Sequence, residues 1–284
     1  MKRRLRIAWL PDGKRLQLSD PPIELIVQAF GRPGDIARAY DAAIDRMRHV
    51  LDELNSELAV LRLPAPQTLQ NALARRMNYA AAPFCAENFI TPLAAFAGAV
   101  ADDVLAAMQN TAPLDRAFVN SGGDIALYLA EGQNFASSML DRPGRPRLSG
   151  TLLVEAGSGI GGIATAGRSG PGLLLGIADS VVVAAGSAAA ADVAATMIAN
   201  ATDLPGHKAI ARAPARSLRP ESDLGDMLVT TGVAALTPQE VATALAAGAG
   251  AAEVYLAAGL IKGAALYLRG ETAFVGGGGM EWEV

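Results

Sequence analysis

Two different periods organise the apolar positions of this chain, and the switches between them mark its elements. Ile36, Tyr40, Ile44, Met47, Leu51, Leu54, Leu58 and Leu61 follow one another at three- and four-residue steps. That spacing lays them along one stripe of a long helix, which Pro33-Gly34-Asp35 opens and Pro64 and Pro66 stop. Upstream, residues 5–10 and 15–18 flank Pro11-Asp12-Gly13, a turn signal that predicts a β-hairpin, and residues 23–27 read as a further strand. His49 falls off the helical stripe and reads as a solvated helix residue. Thr91-Pro92 predicts another helix start, with Thr91 as N-cap and Pro92 in the first helical position. That helix runs through Asp102 with small residues almost all round, a pattern suited to close packing on a sheet.

Further along, residues 116–119 and 125–129 read as strands on either side of Asn120-Ser121-Gly122-Gly123-Asp124. A strand at residues 151–155 leads into a glycine-rich run over residues 157–167, and Val181-Val182-Val183 reads as another strand. Ser187 suits the N-cap of a helix that carries Asp192, Thr196 and Ile198. Thr237-Pro238-Gln239-Glu240 is a capping-box pattern ahead of an alanine-rich helix. Residues 264–268 and 272–275 close the chain as strands around Arg269-Gly270-Glu271. Strands and helices mix without regular βαβ alternation, so the expected class is α+β, in one unit over residues 1–284. Residues 203–226, with several Pro and Arg and few large apolar residues, read as an exposed excursion.

Composition narrows the function classes. Hydrophobic residues at 51% and charged residues at 18% supply a sizeable core. A net charge of −4 argues against a general nucleic-acid binder. The single cysteine, Cys85, rules out an internal disulfide framework and a multi-cysteine zinc site, and two histidines rule out His-rich metal chemistry. Behind the basic start, the apolar segment at residues 7–10 is interrupted at residues 11–15, whereas a secretory signal needs about 7–15 apolar residues. The longest stretch without Asp, Glu, Lys or Arg runs over residues 88–101, short of the roughly 20 residues of a membrane span. These features lead us to expect a cytoplasmic protein with no membrane and no nucleic-acid partner. A homodimer is the default expectation for oligomeric state.

Candidate chemistry lies in three places. Gly157-Ser158-Gly159-Ile160-Gly161-Gly162 spells G-x-G-x-x-G after a strand. A dinucleotide fold would need a helix to begin there, and Gly167, Gly170 and Gly172 break one. The run is then either a turn offering backbone N–H groups to a phosphate or a tight connection. No G-x-S-x-G nucleophile elbow exists. Asp192 and Thr196 stand four apart on a predicted helix, which puts a carboxylate and a hydroxyl on one face. Those two oxygens suffice for a Mg²⁺ whose shell is completed by water and a substrate phosphate. The alternative is a Thr bonding back along its helix and an Asp favoured by the helix dipole.

In order along the chain, Asn120-x-Gly122-Gly123-Asp124, then Ala164-Thr165-Ala166-Gly167, then Ala191-Asp192-x-x-Ala195-Thr196 resemble the motifs of the ApbE-like family. Characterised members of that family are Mg²⁺-dependent FAD:protein FMN transferases. The resemblance covers roughly residues 90–200, including the helix over residues 91–102. It implies an α+β fold related to the T-fold, with two antiparallel-sheet halves packed with helices. It implies Mg²⁺ on Asp192 and Thr196. It also implies FAD as substrate or ligand near Asn120, Gly122, Gly123, Thr165, Ala166 and Gly167, and an acceptor protein. Asp124 is the candidate for orienting groups or assisting proton transfer, against a plain role in its turn. Arg168 is a candidate for the anion's charge.

The departures from the family pattern bear on activity. The family's Ala-Lys-Gly stands here as Phe96-Ala97-Gly98, without the lysine, and its A-T-S-G ends as Thr165-Ala166-Gly167, without the serine. Its H-x-x-D-P segment is absent, and residues 168–177 are short and glycine-rich instead. Three readings therefore stand together: FMN transfer from FAD, a non-catalytic flavin- or nucleotide-binding module, and a different enzyme acting on a phosphorylated or heterocyclic metabolite. In each, the turn at residues 120–124, the glycine-rich run and the helix of Asp192 are expected to converge on one ligand.

Overall fold

The structure, a computed structural model, describes residues 5–86, 88–140, 148–168, 170, 172–277 and 280–283; the basic start at residues 1–4 lies outside them. The chain forms two compact units. The first comprises Met1–Phe135, Val154–Ala164 and Ala185–Val193, and the second Ala136–Leu153, Thr165–Ala184 and Ala194–Val284.

In the first unit, β1 (Arg6–Trp9), β2 (Leu16–Asp20), β3 (Ile23–Phe30), β4 (Arg116–Ser121) and β5 (Asp124–Leu129) pair in sequence order, all antiparallel. Side chains alternate across the pleat, so register decides which ones are buried. Leu16 faces Val27 and Leu18 faces Leu25 across the β2–β3 ladder, and all four are buried. Three helices follow, α1 (Pro33–Leu61), α2 (Ala72–Ala81) and α3 (Phe96–Thr111): α3 lies on β4 and β5, α1 on α3 and β3, and α2 packs on α1 and α3.

The stripe of α1 lies slightly off its predicted line. Ala39 and Ala43 take core-facing positions, while Ile36 and Ile44 stay half-buried at its margin. The helix predicted from Thr91 starts differently. Pro92–Ala95 winds as a 3-10 turn, and α3 begins only at Phe96. α2 was not foreseen; the side chain of Asn71 caps it, accepting the Ala74 N–H at 2.7 Å.

Next along the chain come β6 (Asn134–Leu140), β7 (Leu148–Glu155) and β8 (Gly162–Ala166). β8 opens where the glycine-rich run ends, and Ile163 pairs Ile125 of β5. A strand at Gly162, where a dinucleotide fold would begin a helix, removes the Rossmann reading. Then follow β9 (Ser180–Ala185), α4 (Ala188–Ala201), β10 (Ile210–Pro214), α5 (Ala215–Leu218) and β11 (Leu228–Val233). The chain closes with α6 (Pro238–Ala257), β12 (Gly263–Leu268), β13 (Glu271–Gly276) and β14 (Met280–Glu283). In the second unit, β9, β12 and β13 form an antiparallel ladder in that order, and α6 packs on β12 and β13. β10 and β11 make a two-stranded ribbon within and beyond residues 203–226, and β14, β7 and β6 form a third sheet. The class is α+β, as expected, and the strand pairs described above are antiparallel. No helix among the described residues is long and apolar enough to cross a membrane.

α6 carries the predicted capping box. The Thr237 hydroxyl accepts the Glu240 N–H at 3.3 Å, and the Glu240 carboxylate accepts the Thr237 N–H at 2.7 Å. The Thr237 N–H and hydroxyl, and then His207 at 2.9 Å, hold the Glu240 carboxyl below its usual 4.5. A depressed carboxyl pKa adds stability above the unfolded value, and that contribution is lost as pH falls through the folded one. Glu240→Gln is therefore expected to melt slightly below wild type at neutral pH. The difference should vanish in acid, below the folded pKa, when melts of the two proteins are compared.

Candidate functional site

Side chains and close backbone contacts fix the start of α4. Four N–H groups at a helix N-terminus lack partners within the helix. Here the Ser187 hydroxyl accepts the Ala190 N–H at 3.2 Å, as its sequence position suggests. Two more are taken by a carboxylate from α3. Asp102 Oδ1 accepts the Ala188 N–H at 3.0 Å, and Oδ2 accepts the Ala189 N–H at 2.9 Å. Asp102 is buried, and burial pushes its carboxyl up against the pull of those two amides and of Arg76. A buried carboxylate on two amides of one helix end fixes the position and direction of that helix.

Three glycines let other backbones close on the same point. A Cβ at Gly98 or Gly162 would overlap the backbone of Ala188, and one at Gly161 would overlap that of Gly186. The Gly161 N–H is donated to the Ala185 carbonyl at 3.0 Å. Gly161 and Gly162 are thus used for close packing rather than as a phosphate-facing loop, and the small residues of α3 serve the approach of α4's first turn. Asp102→Ala would leave two amides without partners, so a loss of about 2–4 kcal/mol in urea denaturation is expected, with partial recovery in Asp102→Asn.

Asp192 lies one turn into α4 and is half-buried. Its Oδ2 accepts the Gly98 N–H at 3.0 Å. Its carboxyl is raised well above the ordinary 3.8, first by burial and second by the charge of Asp124. The N–H groups of Gly98 and Ala97 pull the other way, and Asp102 adds a further small push upward. Like charges gathered away from water favour either a proton or a bound cation. No group of three or more His, Cys, Asp or Glu among the described residues is placed to hold a metal. Asp192 and Asp124 are hard oxygen donors, the chemistry of a cation that takes one or two carboxylates and completes its shell from water and phosphate. Thr196 follows one turn later on α4, also half-buried.

The turn between β4 and β5 is built as its glycines require. Gly122 has φ 66° and Gly123 φ 115°, in the left-handed region, and the space where a Cβ would sit at either is open. The side-chain oxygen of Asn120 accepts the Gly123 N–H at 2.9 Å and closes the turn. Asp124, the first residue of β5, is buried. Thr165 and Ala166 end β8, with Thr165 exposed, and Gly167 follows in the second unit, where a Cβ would overlap the Asp179 backbone. The Arg168 N–H is donated to the Ala178 carbonyl at 3.0 Å, and its guanidinium stands 3.7 Å from the Asp179 carboxylate. Asp124 and Asp192 thus act on one another electrostatically in the first unit. Sequence reading missed Asp102 and the Gly98 N–H. The signal for Asp102 was its place directly after the small apolar run of residues 97–101, where a buried carboxylate needs a partner.

A family model described as AbpE bacteria matches residues 7–274. No curated protein matches the sequence significantly. Among solved structures, the flavin transferase ApbE from Vibrio cholerae aligns over 96% of this chain and 97% of its own, at 13% identity and a TM-score of 0.42. A mutant form of that transferase aligns over 92% and 96%, at 13% identity and a TM-score of 0.40. The family match runs over nearly the whole chain and includes all three motifs, so this protein belongs to the ApbE-like family.

Proposed function

We propose that this protein holds FAD with Mg²⁺ at the start of α4 and transfers its FMN moiety to a hydroxyl of an acceptor protein. The observation that carries the reading is Asp192, a half-buried carboxylate raised by burial and by Asp124 and seated on the Gly98 amide. Asp192 and Thr196 would hold Mg²⁺, which supplies neutralisation of the pyrophosphate's charge. Asp102 and the three glycines keep the first turn of α4, and so Asp192, in place. Asn120, Gly122, Gly123, Thr165, Ala166 and Gly167 are assigned to flavin binding. The acceptor oxygen forms a bond to the FMN phosphorus, and the bond from that phosphorus to the bridging oxygen breaks. AMP leaves with the bridging oxygen, and Asp124 takes the acceptor's hydroxyl proton.

A second reading, a flavin-binding module without transfer, is favoured by one observation: Ala97 stands where the family has its lysine. Purified protein incubated with FAD and Mg²⁺ separates the two. AMP release together with a flavin adduct in the intact mass of a co-expressed acceptor supports transfer. Bound flavin with no AMP supports the module. Absence of flavin, with another heterocycle extracted from the protein, overturns both.

A further inference from the structure

The sheet of the first unit extends past the helices that cover it. β1 pairs β2 with Ile7 opposite Leu18 and Trp9 opposite Leu16. Residues directly opposite share a face, so Ile7 and Trp9 belong to the face on which Leu16 and Leu18 are buried. Ile7 is nevertheless 45% exposed and Trp9 55%. Together with Ile36, Tyr40 and Ile44 of α1 they line a groove of about 1040 Å³. Its walls are held firmly. The buried Tyr40 donates its hydroxyl to the Lys14 carbonyl at 2.5 Å and accepts the Ala29 N–H at 3.3 Å. The Trp9 ring meets the Tyr40 ring edge-on at 5.1 Å between centroids.

β1 ends the order of its sheet, and no strand pairs its outer edge among the described residues. Residues 6–9 contain no proline, and their register with β2 is unbroken by a bulge. Proline and bulges are among the devices that guard an exposed edge, and β1, though only four residues long and carrying Arg6, has neither, so its edge can serve as a template for another strand. The charge of this region is distinctive. Among the described residues around β1, Arg6, Lys14 and Arg15 stand against Asp12, which pairs Arg15. Arg6 is exposed on the face opposite Ile7 and Trp9, beside the end of β1, and Lys14 is exposed on the groove side. Inside the groove, Lys14 and Arg116 are matched by Asp41 and Asp115, which suits an uncharged occupant.

We propose that β1 and this groove bind an extended acidic segment of a partner protein. The segment adds as a strand to the outer edge of β1. Its alternate apolar side chains enter the groove beside Ile7 and Trp9, and the acidic ones between them lie along the side of Arg6. A concave groove admits side chains where a bilayer surface cannot follow, so a peptide fits it better than a membrane. The site stands apart from the residues assigned to flavin and does not rest on that reading.

The test uses a fluorescein-labelled peptide alternating valine and glutamate, and a counterpart with lysine for glutamate, titrated into the whole protein by anisotropy. The acidic peptide is expected to bind at least about tenfold more tightly than the basic one, with affinity falling as salt rises. Arg6→Glu, a change at an exposed position, should reverse that preference, and Trp9→Ala should weaken the acidic peptide by about tenfold or more. Equal affinity for the two peptides overturns the proposal, as does a preference that survives Arg6→Glu. Binding of phosphatidylserine vesicles without binding of the acidic peptide overturns it in favour of a membrane surface.

Discussion

Asp192→Asn is expected to raise the melting temperature of the ligand-free protein, against the usual direction of a substitution at a half-buried site. Ionisation of the wild-type carboxyl is opposed by burial and by Asp124. Asparagine keeps an oxygen to accept the Gly98 N–H and removes the ionisable group. The sign follows from linkage. A folded-state carboxyl raised above 3.8 makes the ionised form a cost at pH above that value, so the gain of the variant grows from pH 3.8 upward. A rise of about 2–5 °C at neutral pH is the expected scale. If Mg²⁺ and FAD bind as proposed, wild type should be stabilised by the two together and the variant should not, because a ligand stabilises only the state that binds it. Differential scanning calorimetry with and without both ligands reads both effects. A variant less stable than wild type in the absence of ligand would show that the carboxylate is structural.

Gly98→Ala is expected to be among the most damaging conservative changes in the chain. The added methyl would overlap backbone atoms of Ala188 and Ala189, which have no side-chain torsion with which to move aside. Overpacking of this kind costs about 1–3 kcal/mol, and contact with backbone on a pinned helix end puts the value at about 3 kcal/mol or above. The strain would also move the amide that Asp192 uses, so metal-dependent binding should fall with stability. Gly122→Ala provides the contrast. Its surroundings are open, and only the left-handed φ of 66° opposes a side chain, which costs roughly 1–2 kcal/mol. Urea denaturation of the two variants should separate them clearly. Equal losses would mean that the approach of α3 to α4 is looser than the structure has it.

These contrasts show which features a linear pattern carries. The helix α1, the hairpin at Pro11-Asp12-Gly13, the Gly122-Gly123 turn and the capping box at Thr237 are local, and each is written in spacing or turn chemistry within a few residues. The short α2 was not legible, because its ten residues bury only Leu73, Ala74, Met77 and Ala81 and carry two arginines. β10, reading Ile-Ala-Arg-Ala-Pro, gains its strand from pairing with β11 rather than from its own residues. At the candidate site, Asp192 and Thr196 were legible as an i, i+4 pair. Asp102 was not, because its partners lie 86 and 87 residues away. Gly161 and Gly162 were read as a loop for the same reason: the backbone that crowds them is remote in sequence.

The claim that Asp192 marks a cation-dependent flavin site is tested most directly by calorimetric titration of FAD into wild type and Asp192→Asn, each with Mg²⁺ and with a chelator. Wild type is expected to bind FAD in Mg²⁺, with affinity lower by about 100-fold or more in the chelator, and the Asn variant to bind equally weakly in both conditions. Binding of FAD to the Asn variant with wild-type affinity and wild-type Mg²⁺ dependence would contradict it.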